Sequence, residues 1–388
     1  MGFFMRRNSA ILKEMTAAHY SVLIIGGGIA GSTAALYLAT LGVKVLVIEK
    51  QQYPNHKVCG EYVSNEVLPF LSELGIIPQK RNAPQIDTFL MTNRQGKTLN
   101  ASLPQGGFGI SRYAFDEWLY EEASAAGTEY IFETVTSCTF RTSYFEVKTQ
   151  ESSTYHADYV LGAFGKRSNL DQSLNRPFMK QKSPWLGVKM HYEASFPTNQ
   201  VALHHFDGGY CGLSKTESGS VNLCYLASYD AFKRFGDITA FQQNVLRQNP
   251  FLNDFLKEAK PLFEAPITIG QISFEAKEPV VDGILMIGDS AGLIHPLCGN
   301  GMAMAIHAAK IAVDIVYEAS TDQMSREAVE AQYQSRWTET FQSRLKMGRR
   351  LQNALLNETV QKGIFTFGNL FPKAVPYIIS KTHGKPIA

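Results

Sequence analysis

Three glycines and one acid are the first residues in this chain whose spacing could do chemistry. Gly26, Gly28 and Gly31 stand as G-x-G-x-x-G, and Glu49 follows about twenty residues on. In such an arrangement the first glycine permits a tight turn and the second lets backbone approach a pyrophosphate. The third lets a helix lie close on a strand, and the acid bonds a ribose hydroxyl. Ile29 and Ala30, in the first helical turn, would present N–H groups to the phosphates, with Lys50 beside the acid. These types at these positions predict a dinucleotide site.

A second glycine site follows late in the chain. Gly288-Asp289-Ser290-Ala291-Gly292 ends an apolar run, and Pro296, Gly299, Asn300, Gly301 and Met302 come soon after. An acid at the carboxyl end of a strand can hold a ribose hydroxyl or sit near a pyrophosphate. Glycines opening a helix can turn backbone N–H groups toward an electron-rich ring edge. The same residues spell G-x-S-x-G, which would make Ser290 a nucleophile with His295 or His307 as its base. No separate acid stands between them and no HGGG-type segment lies upstream, so the hydrolase reading is set aside.

Other reactive types carry less. Cys59, between Lys57 and Gly60, could donate a proton or simply pack. His204 and His205 are adjacent, so on a strand they point to opposite faces, and no metal site is expected. Arg344, Lys346, Arg349 and Arg350 read as a solvated face, with an anionic head group or carrier as the sharper alternative. Residues 363–379 are rich in aromatic and aliphatic side chains. They are expected to pack on the surface, with a lid or membrane contact as the minority reading.

The elements that must position these residues follow from periodicity. Val22–Ile25 and Val43–Ile48 are buried parallel strands flanking a helix. Residues 86–101 form a hairpin, Arg112–Gly127 a helix, and 130–148 and 158–161 strands. From 184 to 275 short strands predominate, Val221–Leu226 among them, interrupted by a helix near 238–258. Ile284–Ile287 is another buried strand, and a helix follows Gly301. Val329, Tyr333, Trp337, Phe341 and Leu345 recur every four residues in a helical end. The fold class is α/β: a discontinuous Rossmann-type binding domain (20–75, 102–180 and 276–330), a mainly antiparallel β substrate domain (76–101 and 181–275) and a C-terminal helical segment (331–388).

Composition excludes several classes. At 388 residues with net charge +2, 45% hydrophobic and 19% charged, the chain has an ordinary globular balance and no field directed at nucleic acid. Its five cysteines, without C-x-x-C spacing, fit a reducing compartment. Arg6-Arg7 lacks an apolar stretch after it, and no run is long enough to span a bilayer. The expected location is cytoplasmic, allowing for peripheral membrane contact, with Met15 a candidate start.

Taken together, residues 20–315 resemble the FAD-dependent oxidoreductases of the p-hydroxybenzoate hydroxylase fold, and within them the geranylgeranyl reductase-like branch. Gly26 to Glu49, Lys57 to Ser64, and Gly288-Asp289 with Pro296, Gly299 and Gly301-Met302 carry the resemblance. It implies that the first block holds the ADP half of FAD, that Gly60 lies beside the flavin, and that Asp289 binds the ribityl or pyrophosphate region. Arg112-x-x-x-Asp116 is similar to a family helix whose arginine lies near the cofactor. The family's G-A-D-G is here Gly162-Ala163-Phe164-Gly165, which puts direct use of NAD(P)H in doubt. Tyr210 to Lys215 replaces the W-x-W-x-I-P of halogenases.

The resemblance implies a bulky hydrophobic substrate, an isoprenoid or polyketide-type lipid, free or carrier-bound. Reduced flavin would reduce a C=C bond, with Cys59 and Tyr62 as candidate proton donors. The alternatives are hydroxylation of an aromatic ring and a non-catalytic binding scaffold. Oligomeric state is not legible.

Overall fold

The computed structural model describes residues 17–387; Met15 and Arg6-Arg7 lie outside them. Val22 to Ile25 are almost wholly shielded from water within the strand Ala18–Ile25, as a strand covered on both faces must be. This strand pairs in parallel with Val45–Glu49 on one side and Thr154–Gly162 on the other. Glu129–Phe132 extends one edge, and Ile284–Met286 followed by Val280–Val281 extends the other. Only the last pairing along this row is antiparallel. A hairpin of Val135–Phe140 and Phe145–Thr149 attaches to Thr154–Gly162. Helices Ile29–Thr40, Arg112–Ala125 and Gly301–Asp322 pack together on this sheet and share its core.

A second, nine-stranded sheet lies beyond it. Its order is Lys260–Pro261, Trp185–Glu193, Val221–Ser228, Gly209–Lys215, Gln200–Phe206, Gln85–Thr92, Thr98–Gly109 and Tyr62–Ser64, with Ile267–Ile269 also on Trp185–Glu193. All its pairings are antiparallel except Gln200–Phe206 with Gln85–Thr92. The strand Thr98–Gly109 runs across the 101/102 boundary, and Tyr62–Ser64 pairs with its far end, so two threads of chain tie the sheets together.

Two elements differ from expectation. The helix near 238–258 is broken into Ile238–Asn244 and Pro250–Glu258. Pro250 lacks the N–H a continuing helix needs, and the Asn249 side chain caps the new start by accepting from Phe251 N–H at 3.0 Å. The helical end is also segmented, into Arg326–Leu356, Glu358–Leu370 and Ala374–Ser380. Val329, Tyr333, Trp337 and Phe341 bury along one face against the first sheet, where the Tyr333 hydroxyl donates to Met286 O at 2.5 Å.

Candidate functional site

The turn after the first strand opens on a large cavity lined by Gly26, Gly28, Ile29, Ala30, Glu49 and Lys50. Gly26 has φ 102°, a conformation only glycine takes freely, and a Cβ there would lie 2.5 Å from Ala163 O. A Cβ on Gly31 would overlap the Gly26 carbonyl oxygen, so Gly31 does not line the cavity but lets the helix lie against the turn. Glu49 is buried and accepts from Gly27 N–H at 2.7 Å and Gln51 N–H at 3.2 Å. The Tyr53 hydroxyl, which sequence reasoning passed over, donates to Gly27 O.

Gly288, Asp289, Pro296, Gly299, Gly301 and Met302 line the facing wall. A short turn at Pro296–Cys298 ends in left-handed Gly299, φ 61°, and releases the chain into the helix Gly301–Asp322. The Asn300 side chain is turned away, donating to Glu66 Oε2 at 2.8 Å, and Gly162 likewise lies behind the wall. Ser290 is no nucleophile: it is fully buried and its Oγ accepts from Gly165 N–H at 2.8 Å. Burial holds His295 near pKa 3 and His307 near 4, and no hydrogen bond links either to Ser290.

Both helices that start at these turns lack a side-chain cap and an acid in the first turn. Their free N–H groups and positive dipole ends are therefore available to a ligand bearing phosphates and an electron-rich ring. These are the groups FAD presents, so the residues fit it: the glycine turn and Glu49 would hold its nucleotide half, and Asp289 with the second turn its flavin half.

Between the turns runs the segment 57–61, clamped at both ends. Arg112 donates to Asp116 through Nε (2.6 Å) and Nη2 (2.8 Å), and Lys57 Nζ reaches the same carboxylate at 2.7 Å. Burial pushes Asp116 up, yet the Arg112 and Lys57 charges outweigh it and hold the carboxyl below its usual range. At the other end, buried Glu61 is paired with Lys189 and with His191 Nε2 at 2.6 Å, and accepts from Arg112 N–H at 2.7 Å. Burial again raises its pKa, but the His191 hydrogen bond and Lys189 charge bring it below normal. The sequence signal for this cluster was present but unread: Lys189 and His191 alternate on one face of a strand that is otherwise apolar before its terminal Glu193.

Cys59 and Gly60 lie between the clamps and line the cavity, as does Arg112. Tyr62 also lines it, but its hydroxyl donates to Gly106 O at 3.1 Å, and burial raises its pKa. Lys277, also missed, donates to Asp289 O at 2.7 Å and Lys166 O at 2.8 Å; burial lowers it to about 8. Phe164 sits in the cavity wall where the related motif has its acid.

Past the second glycine turn the cavity continues into an apolar chamber, and its volume of about 1420 Å³ takes in both regions. Phe89, Met91, Leu203 and Leu226 of the large sheet form one wall, with Leu355 and Phe367 of the late helices opposite. The expected solvated basic face holds for Lys346 and Arg350, which are exposed, but not for Arg344. Arg344 is buried, donating to Glu66 Oε1 at 2.9 Å, because the helix turns that side toward the second glycine turn. His204 and His205 do diverge: His204 Nδ1 bonds Thr92 Oγ1 at 2.8 Å, while the His205 ring lies toward Tyr210.

This site has the form of a flavoprotein with a joined substrate chamber. A family model described as "FAD binding domain" matches residues 19–336. The chain belongs to that family and is an FAD-dependent oxidoreductase of the p-hydroxybenzoate hydroxylase fold, similar to geranylgeranyl reductases. A digeranylgeranylglycerophospholipid reductase of Methanosarcina acetivorans is 25% identical over 368 residues, spanning 87% of this chain and 85% of that one. A geranylgeranyl bacteriochlorophyll reductase-like protein from Thermoplasma acidophilum shares the fold at TM-score 0.73 and 18% identity, over 94% of this chain and 100% of that one. A triple mutant of the flavin-dependent brominase Bmp2 does so at 0.77 and 17%, over 94% and 96%.

Proposed function

We propose that the protein reduces carbon–carbon double bonds in a bulky, isoprenoid-type lipid. The observation that carries this reading is the chamber continuous with the cofactor wall, whose lining by Phe89, Met91, Leu203, Leu226, Leu355 and Phe367 suits a large apolar substrate. FAD, when bound and reduced, supplies the hydride. The chain supplies orientation, exclusion of water and the proton. Cys59 is the donor of choice, because the Asp116 and Glu61 clamps fix its segment against the cavity. Tyr62, with its hydroxyl committed to Gly106, serves as wall.

Ring hydroxylation is the weaker reading. It needs a base beside a phenol, and Glu61, the carboxylate nearest the flavin-facing segment, is tied up by Lys189 and His191. The division into a binding unit (20–75, 102–180 and 276–330), a substrate unit (76–101 and 181–275) and a helical segment (331–388) belongs to this reading. So does a reducing, cytoplasmic setting, which suits five free thiols. NAD(P)H is retained as a candidate electron donor.

The test is anaerobic incubation of the holoenzyme, reduced by dithionite, with a geranylgeranyl lipid, following uptake of hydrogen pairs by mass spectrometry. Cys59→Ser should slow the reaction at least tenfold with FAD content unchanged. An unchanged rate removes Cys59 from the chemistry. Hydroxylated product formed only in air would replace reduction by oxygenation.

A further inference from the structure

Of the eleven large apolar side chains that lie exposed among the described residues, seven fall between Leu356 and Ile378. Leu370, Tyr377, Phe371 and Phe367 are 70%, 63%, 57% and 51% exposed. They project from a helical hairpin made by Glu358–Leu370 and Ala374–Ser380. Its inner face is well seated: Phe365 is wholly buried, Val375 nearly so, and Asn369 Nδ2 donates to Thr98 O at 3.0 Å. The outward apolar face is thus a feature of a packed element.

Two further observations say what covers it. First, Val360, Phe367 and Ile378 are exposed outside and also line the chamber, so the patch is the chamber's mouth. Second, the charges around it are mostly of one sign, the exception being Glu358, which pairs with Lys362 at 3.2 Å. Lys362, Lys373, Lys381 and Lys385 are all exposed, and Glu358 is the single acid from Leu351 to Ile387. Aromatic and aliphatic tips ringed by lysines match the boundary of an anionic bilayer, where apolar groups enter the acyl region and cations meet the head groups. A second copy of the chain fits worse, since a two-fold contact would set these lysines against their own equivalents.

We propose that this hairpin docks on an anionic lipid surface and opens the chamber directly to it, so that an apolar tail moves from bilayer to cofactor wall without crossing water. The purpose rests on the lipid reading of the chamber; the docking itself does not.

The experiment is co-sedimentation of the holoprotein with vesicles of phosphatidylcholine alone and of phosphatidylcholine with phosphatidylglycerol. Binding to the anionic vesicles is expected, weakening as salt rises. The double variant Leu370→Glu and Phe371→Glu, at positions outside the chamber wall, should lose it at least tenfold. FAD content and turnover of a detergent-dispersed substrate should stay as in the wild type. Failure of the wild type to bind anionic vesicles overturns the proposal. So does equal binding by the variant, or a dimer that dissociates on the same substitutions. Vesicle binding without reduction of any alkene leaves the docking standing and removes the proposed reaction; reduction without vesicle binding does the reverse.

Discussion

At the nucleotide end of the cavity two glycine turns, Gly26–Ala30 and Gly288–Met302, put backbone in the wall beside the side chains of Glu49, Lys50 and Arg112. At the apolar end the walls are side chains, drawn from strands and helices as far apart in sequence as Phe89, Leu203 and Phe367. A backbone wall tolerates almost no change in shape where chain approaches chain. A side-chain wall can change its lining and keep its frame. One end is therefore fixed for a single cofactor, while the other can be retuned to a substrate.

The sharpest way to break this comparison is at Gly31. A valine there would drive its Cβ into the Gly26 carbonyl, and Gly31→Val should abolish FAD retention or folding outright, read as flavin absorbance per chain. Normal FAD content would show that the turn is not held by close approach. Next comes the clamp between the two ends. Asp116→Asn leaves Lys57 and Arg112 without their carboxylate and should cost on the order of 3 kcal/mol, measured by denaturant unfolding of the holoprotein. At the chamber end, Val201→Asp sets a carboxylate on the apolar wall. It should raise KM for a lipid substrate at least tenfold, leaving FAD stoichiometry intact. Loss of FAD instead would mean that the two ends are not separable.

The smallest effect concerns pH. Burial holds His205 near 4; burial and, after it, the His205 charge hold His204 near 3. The unfolded chain, with histidines near 6.5, takes up protons first as pH falls. The stability tied to these two neutral rings is thus complete above about 6.5 and drains away toward the folded values. Asp116 and Glu61 behave differently. Their folded pKa values are depressed, so their contribution holds down to about 4 and is lost only as pH falls through those lower values. The large sheet should loosen before the clamps do. His205→Leu, which removes a ring whose Nε2 has no partner, should be near neutral at pH 7 and stabilising at pH 5 in thermal unfolding. A variant no more stable than the wild type at pH 5 would exclude His205 as a source of acid sensitivity.

What was legible in the sequence divides along the same line. The glycine turns were readable because their constraints are local: a tight turn, a close approach and an acid at a strand end each mark a few adjacent residues. The chamber was not, since no short window records that Leu203 will face Leu355. Arg344 misled for a related reason. A basic residue beside Lys346 and Arg350 resembles a solvated surface until the buried carboxylate of Glu66, far back in the chain, comes to meet it. The break at Asn249-Pro250 was the opposite case, a local signal available to any reading that gave proline its due.

Glu66 has one more consequence. Its carboxylate accepts from Asn300, Arg344 and the Gly384 N–H (2.7 Å), and its own carbonyl accepts from Ile387 N–H at 2.9 Å. The first cofactor motif leaves the ribosome early, but the floor beneath the second turn is completed by residues made more than three hundred positions later. The second turn therefore lacks part of its floor until those late residues have been made, and flavin capture is expected to follow them. A bulky fusion placed against residues 384–387 would act first on cofactor loading, through Glu66 and the Asn300 it holds.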